Sequence, residues 1–230
     1  MAGEFQITDV LPWGRNAAEY HAMFALENGQ PQCRILDVGG GPASYNAEKT
    51  EEGAKVVSVD PLYQFSASAI RNRVIETRSI MMDGVHKAKD RFLWNYFASP
   101  EDLEIVRLAA MEKFLSDFDR GLAEGRYVPG ALPSLPFEAD SFDLILCSHM
   151  LFMYSDFLDE AFHIASFEEM LRLAPEARVF PLQDNNGHRS RHLDPVLRWA
   201  KQKGITHEIR RVDYEFQKDA NEMLVLTRPR

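Results

Sequence analysis

Four short segments, "CRILDVG" (33–39), "AKVVSVD" (54–60), "FDLILCS" (142–148) and "ARVFPL" (177–182), are rich in Val, Ile, Leu and Phe and show no polar alternation. A strand with one wet face alternates polar and apolar residues. Runs without alternation suit strands of a parallel sheet covered by helices on both faces. Between them lie helical patterns, at about 43–52 and over 156–174, where Leu158, Phe162, Ala165, Met170 and Leu173 keep helical spacing. Strand and helix alternate, which predicts a doubly wound α/β sheet. The C-terminal part departs from this rhythm. A helical pattern, "PVLRWAKQKG", ends at Gly204 and leads into strand patterns at 205–216 and 222–228, joined by the short polar "QKDAN". Two strands so closely linked form a hairpin, so the last one is expected antiparallel to its neighbour.

The first run continues as "ILDVGGGPASY" (35–45), a strand entering a glycine turn and then a helix. Dinucleotides, phosphates and other adenosine cofactors all use turns of this kind. A dinucleotide fingerprint has a third glycine where Ser44 stands, and a phosphate-cradling loop ends in Gly-Lys-Ser/Thr, which is absent. What remains are two acids, Asp37 before the turn and Asp60 at the end of the next strand, roughly 20 residues later. A carboxylate at that second tip can accept both hydrogen bonds of a ribose diol. A carboxylate beside the turn repels a pyrophosphate and favours a cofactor that carries positive charge.

With "VVSVDPLY" after the second strand, "LPFEADSFDLILCSHMLFMY" around the fourth and the hairpin end, the sequence resembles the class I S-adenosylmethionine-dependent methyltransferases. The resemblance covers about residues 33–182 plus the C-terminal strands. It implies a Rossmann-like, seven-stranded sheet, mostly parallel with a C-terminal antiparallel hairpin. It also implies S-adenosyl-L-methionine as cofactor, with S-adenosyl-L-homocysteine as product. By the same resemblance Gly39, Gly40 and Gly41 pass close to the methionine part, Asp37 lies near its amino end, Asp60 holds the ribose, and Pro61 and Leu62 border the adenine. Ala131 and Leu132 of "GALPSLPF" close the adenine side, and Cys147, Ser148 and His149 face the methyl group. The family usually carries a polar or acidic side chain near Ala131 or Leu132, so backbone groups are expected to recognise the adenine here.

Structural roles compete with these. Asp37 and Asp60 also suit turn caps, although their spacing agrees with one site. Asp143 reads as a strand-start residue. His149, at the carboxyl edge of the sheet, is a candidate general base or a pocket-lining histidine, and Tyr154 and Phe152 are pocket wall or core. His188, His192, Asp184 and Asp194 have metal-ligand chemistry but lie in a loop with no second cluster, so no metal is expected. No Asn/Asp-Pro-Pro-aromatic motif follows the fourth strand and no proline precedes Cys147, which disfavours adenine amino-group methylation and a covalent cysteine mechanism.

At 230 residues the chain fits a single domain, 1–230, with two additions. Residues 1–30 form an expected helical lid, in which Trp13, Tyr20, Met23 and Phe24 make an apolar stripe beside Arg15 and Glu19. Trp13, Arg15 and Tyr20 are placed on the lid side of the cofactor. Residues 62–126 exceed a normal crossover and read as a helical insertion, with Ser99 as cap, Pro100 at the first helical position and the aromatic cluster Phe92, Trp94, Tyr96 and Phe97. A water-excluding lid and a homodimer surface both explain such an insertion.

Acidic residues number 35 against 26 basic ones, which gives no footprint for nucleic acid or for an anionic membrane. No signal segment or long apolar run occurs, so a soluble, cytoplasmic protein is the expectation, with Cys33 and Cys147 as packed thiols. A small-molecule acceptor follows as the expected partner, methylated on O, N, S or C by in-line transfer with Tyr154 or a His149 base assisting. The rival is a cofactor-binding regulatory or assembly subunit without turnover. Methylation of a protein or tRNA calls for a basic docking face that the composition does not supply.

Overall fold

A computed structural model describes residues 11–26 and 33–229. The parts of the expected lid at 1–10 and 27–30 lie outside the described residues. The sheet has seven strands: β1 (Arg34–Val38), β2 (Lys55–Val59), β3 (Tyr127–Val128), β4 (Leu144–Ser148), β5 (Glu176–Phe180), β6 (Thr206–Arg211) and β7 (Glu222–Thr227). Their order is β3-β2-β1-β4-β5-β7-β6, and β7 alone runs opposite to the other six. This is the Rossmann-like, seven-stranded sheet, mostly parallel with a C-terminal antiparallel hairpin, that the resemblance implies. The carboxyl ends of β1, β2, β4 and β5 share one edge.

Both faces of the central strands are buried, which explains their unbroken apolar runs. Leu36, Val38, Ile145, Cys147 and Val179 point to one face, against α5 (Glu160–Leu173) and α6 (Leu193–Gln202) through Phe167, Met170, Val196 and Trp199. Leu144, Leu146 and Phe180 point to the other, against α1 (Ala17–Phe24) and α2 (Tyr45–Glu51) through Tyr20, Met23, Phe24 and Tyr45. The insertion consists of two long helices, α3 (Ala67–Lys87) and α4 (Pro100–Ala123), with Ser99 capping α4 and Pro100 in its first turn as the sequence predicts. Leu62, Tyr63, Ile70, Phe114, Phe118 and Tyr127 pack together where these helices meet β3. Among the described residues no helix is long and apolar enough to cross a membrane.

Some expectations change. Helix α5 begins at Glu160, capped by Asp159, rather than at 156, and Phe157 and Leu158 are left in the preceding loop. The aromatic cluster Phe92, Trp94, Tyr96 and Phe97 is not helical. It lies in the irregular connection from α3 to α4, where Phe92 stacks on Phe216 at 4.6 Å and Tyr96 meets Tyr214 edge-on. Those two partners come from the segment expected to extend β6 to 216. The strand ends at Arg211 because Tyr214 and Phe216 leave the sheet to fill this aromatic layer.

Helix α1 is fixed at both ends. Asn16 and Glu19 form a reciprocal capping box, and the Arg178 guanidinium on β5 donates to the carbonyl of Phe24 at 2.7 Å. Glu19 is fully buried and pairs through both carboxylate oxygens with Arg107 of α4, itself 1% exposed, while Tyr214 donates to the same carboxylate at 2.9 Å. Burial opposes ionisation of Glu19, but Arg107 outweighs it and holds the carboxyl below its usual range. Removing one member of a buried pair strands the other charge. Glu19→Ala is therefore expected to lower unfolding free energy by about 3–5 kcal/mol in denaturant titration, and a Glu19→Leu/Arg107→Met double variant to recover most of that loss.

Candidate functional site

The chain leaves β1 through Gly39 and Gly41, both at positive φ (+69° and +53°), a conformation that side chains rarely adopt. At Gly40 a Cβ would stand 2.3 Å from Oδ2 of Asp37, so the turn lies directly on that carboxyl group. The turn is tied to β2: the Gly41 N–H donates to Oδ2 of Asp60 at 2.9 Å, and the Tyr63 hydroxyl donates to the Gly41 carbonyl at 2.8 Å. Asp60 also caps the 3-10 turn Pro61–Gln64 by accepting from the Leu62 N–H at 2.7 Å. Each of its oxygens keeps a lone pair free for a further donor. Burial raises its carboxyl pKa to about 6.

A cleft of about 410 Å³ opens over this edge, within the range of small-molecule sites. Most of the sequence-predicted residues meet in it. Trp13, Arg15 and Tyr20 come from the N-terminal segment; Gly39, Gly40 and Gly41 from the turn; Asp60, Pro61 and Leu62 from the end of β2. Ala131 and Leu132 come from the loop after β3, and Ser148, His149 and Tyr154 from the loop after β4. Two do not line it. Cys147 is fully buried on the α5/α6 face, and its thiol is pushed up to about 12 by burial. Asp37 points to the α1 face, where it accepts from Tyr20 and Ser58, each at 3.0 Å. It supports the turn from behind. Asp143, as expected of a strand-start residue, pairs with Arg34 at 2.9 Å.

His149 follows β4 in a left-handed conformation, φ 51°, with its N–H donating to the Phe180 carbonyl at 2.6 Å and Nδ1 2.9 Å from the Ser148 hydroxyl. Burial, and then the positive charges of Arg15 and Arg107, push its pKa well below the ordinary histidine value. It stands in the cleft as a neutral imidazole, suited to accept a hydrogen bond and poorly suited to hold a proton. Tyr154 is 47% exposed and Phe157 81% exposed at the mouth, beside Leu11 at 53%. Sequence reasoning missed Met150, Phe157 and Leu158 of the same loop, because their helical spacing assigned the last two to α5. Among the described residues no three His, Cys, Asp or Glu side chains gather as a metal site. His188 approaches only Asp184, and His192 packs on His163.

Asp37 carries a measurable consequence. Burial raises its pKa from 3.8 to about 7, against the hydrogen bonds from Ser58 and Tyr20 that lower it. The folded protein holds this proton across a range in which the unfolded chain has released it, so stability falls as pH rises from about 4 to about 7. The loss is on the order of 2–4 kcal/mol. Asp60, raised to about 6, adds to the decline and Glu19, held low, opposes it, so the readout is a difference: in chemical denaturation the native chain is expected to lose stability relative to Asp37→Asn as pH rises across that range, and equal slopes in the two proteins reject the assignment.

No family model matches the chain. It is 30% identical over 223 residues to Uncharacterized protein MJ0045 of Methanocaldococcus jannaschii, a match spanning 96% of this chain and 98% of that protein. Among solved structures, it is similar to a TehB-like SAM-dependent methyltransferase from Corynebacterium glutamicum, at 16% identity over 87% of this chain and 83% of that one, TM-score 0.45. It is also similar to the magnesium protoporphyrin IX methyltransferase of Synechocystis solved with bound SAM, at 14% identity over 86% and 70% of the two chains, TM-score 0.44.

Proposed function

The chain belongs to the family of the Methanocaldococcus jannaschii protein MJ0045, and for it we propose S-adenosylmethionine-dependent methyl transfer to a small-molecule acceptor. The observation that carries the proposal is the hydrogen bond from the Gly41 N–H to the Asp60 carboxylate, which fuses the glycine turn and the tip of β2 into one wall of the cleft. The residues present fit an adenosyl sulfonium. Asp60 retains acceptor capacity for a ribose diol, Leu62 and Leu132 give an apolar surface for adenine, and the glycine turn lets backbone approach the amino-acid end. The turn also lacks the third glycine of a dinucleotide fingerprint and a Gly-Lys-Ser/Thr ending, which disfavours a pyrophosphate there.

When bound, S-adenosylmethionine supplies an electrophilic methyl group that needs no further activation. The protein's work is then to place the acceptor in line and to exclude water. The loop after β4 supplies the acceptor side: His149 as a neutral hydrogen-bond acceptor, Met150 and Tyr154 as wall. The depressed pKa of His149 supports a role in orienting an acceptor hydroxyl, amine or thiol over that of a standing base.

Calorimetry is expected to show binding of S-adenosylhomocysteine and none of NAD. Asp60→Ala removes charge-assisted bonds worth roughly 1.5–3 kcal/mol each and should weaken the nucleoside at least about tenfold. Because a carboxylate, and not a carboxyl, accepts both ribose bonds, affinity should fall as pH drops through about 6, and that dependence should vanish in Asp60→Asn. Transfer of an isotope-labelled methyl group to a component of a metabolite extract tests turnover, and its rate should show no inflection from His149 near neutral pH. Binding of NAD in place of the sulfonium nucleoside overturns the reading.

A further inference from the structure

Ser148 is the last residue of β4 and continues the face of Leu144 and Leu146, toward Met23 of α1. Its buried hydroxyl has two neighbours. One is the sulfur of Met23, at 3.7 Å, and the other is Nδ1 of His149, at 2.9 Å. The His149 ring has little freedom to turn away, since the residue's own N–H is held by the Phe180 carbonyl and the imidazole stands edge-on to the Phe180 ring at 5.3 Å. Its other nitrogen, Nε2, has no partner among the described residues. That nitrogen is not enclosed, because His149 lines the cleft and is only half-buried.

These contacts decide which nitrogen carries the hydrogen of the neutral ring. A thioether accepts and cannot donate, and a hydroxyl has a single hydrogen. Given to Nδ1, that hydrogen makes one bond and leaves the sulfur without a donor. Given to the sulfur, it frees the hydroxyl oxygen to accept from an Nδ1–H, and both contacts become hydrogen bonds. In a buried cluster the arrangement that fills more valences prevails.

We propose that Ser148, backed by Met23, is a positioning residue that fixes His149 as the Nδ1–H tautomer, so that Nε2 offers a bare lone pair to the cleft and selects an acceptor whose nucleophilic atom carries a hydrogen. The acceptor class rests on the cleft being the site of methyl transfer; the tautomer does not. A bare Nε2 draws the hydrogen of a hydroxyl, a thiol or a primary or secondary amine to one side and leaves the lone pair of that atom free to face the methyl carbon. The opposite tautomer presents a donor and occupies that lone pair. A tertiary amine or a thioether has no hydrogen to give and leaves Nε2 unsatisfied.

The test reads the tautomer directly, by nitrogen NMR of the folded chain carrying isotope-labelled histidine, in which a bare ring nitrogen resonates far from one that holds a hydrogen. Spectra are taken at neutral pH, where burial and the charges of Arg15 and Arg107 keep the ring uncharged. Loss of the signal in His149→Gln assigns it, and thermal melts establish that each variant is folded. The native ring is expected to be predominantly Nδ1–H. Ser148→Ala removes the oxygen that Nδ1–H donates to and should move the ring to predominantly Nε2–H, the form an unconstrained histidine prefers; Ser148→Thr should restore the native pattern. Met23→Leu conserves volume but releases the hydroxyl hydrogen to Nδ1, so the ring should turn over to Nε2–H with Ser148 still in place. A serine that served packing alone would not produce that shift. A native ring found as Nε2–H or as imidazolium overturns the proposal, as does an unchanged tautomer in Ser148→Ala or in Met23→Leu, and Met23→Leu decides if Ser148→Ala does not fold. In the labelled-methyl assay a product that is a sulfonium or a quaternary ammonium overturns the acceptor class. Absence of S-adenosylhomocysteine binding by the native chain strikes the methyltransferase reading instead, and the tautomer is still read from its own spectrum.

Discussion

The buried pair between Glu19 and Arg107 ties together parts of the chain that are far apart in sequence. Glu19 sits on the helix before the sheet, Arg107 on the inserted helix α4, and Tyr214, which donates to the same carboxylate, on the segment between the last two strands. An ion pair removed from water survives only if its geometry is fixed and its remaining valences are filled. Here the capping box of α1 and the Tyr214 hydroxyl complete the carboxylate, and the Gly14 carbonyl and the faces of Trp13 and Phe97, at 5.6 and 5.2 Å, surround the guanidinium, of which only Nε is left buried without a hydrogen bond. One consequence is local: Trp13 and Arg15 are carried on a segment anchored at its far end, so the cleft's wall is built before any ligand arrives. Another is electrostatic. Arg107, neutralised by Glu19, leaves Arg15 as the unbalanced charge of the region.

The sheet was largely legible in the sequence because its signal is local. Unbroken apolar runs mark β1, β2, β4 and β5, and a polar link marks the hairpin. Strand β3 is two residues long and carries no period to read. The start of α5 was misplaced because Leu158 has the right spacing for the helix, and only the Asp159 cap, three residues before the Phe162 N–H that it accepts, marks the true beginning. The site was legible where one segment contains both the motif and its function, as at Gly39–Gly41 and Asp60. It was not legible where function depends on which face a strand presents. Asp37 and Cys147 sit at the right height on their strands, yet both turn away from the cleft, toward opposite faces of the sheet. Nor can spacing pair Glu19 with Arg107, 88 positions apart.

The cleft draws its polar character from very few groups. Asp60 and Arg15 are its only charged side chains among the described residues, His149 is held neutral, and the rest is glycine backbone, apolar surface and the hydroxyls of Tyr20, Ser148 and Tyr154. Selectivity in such a site comes from the mismatch cost of leaving one of those few groups unpaired, more than from the number of contacts made.

Strand β7 lies between β5 and β6, although it follows both in the chain. Until it is inserted, β5 has a bare edge carrying Val179 and Ala177, and β6 has no partner at all. The same late region supplies Tyr214 to the carboxylate on α1. The early βαβ half therefore cannot close as an independent unit while the chain is being made: an exposed apolar sheet edge persists until residues near 227 are free to fold, and in that interval the nascent protein is open to pairing with other chains or to capture by a chaperone.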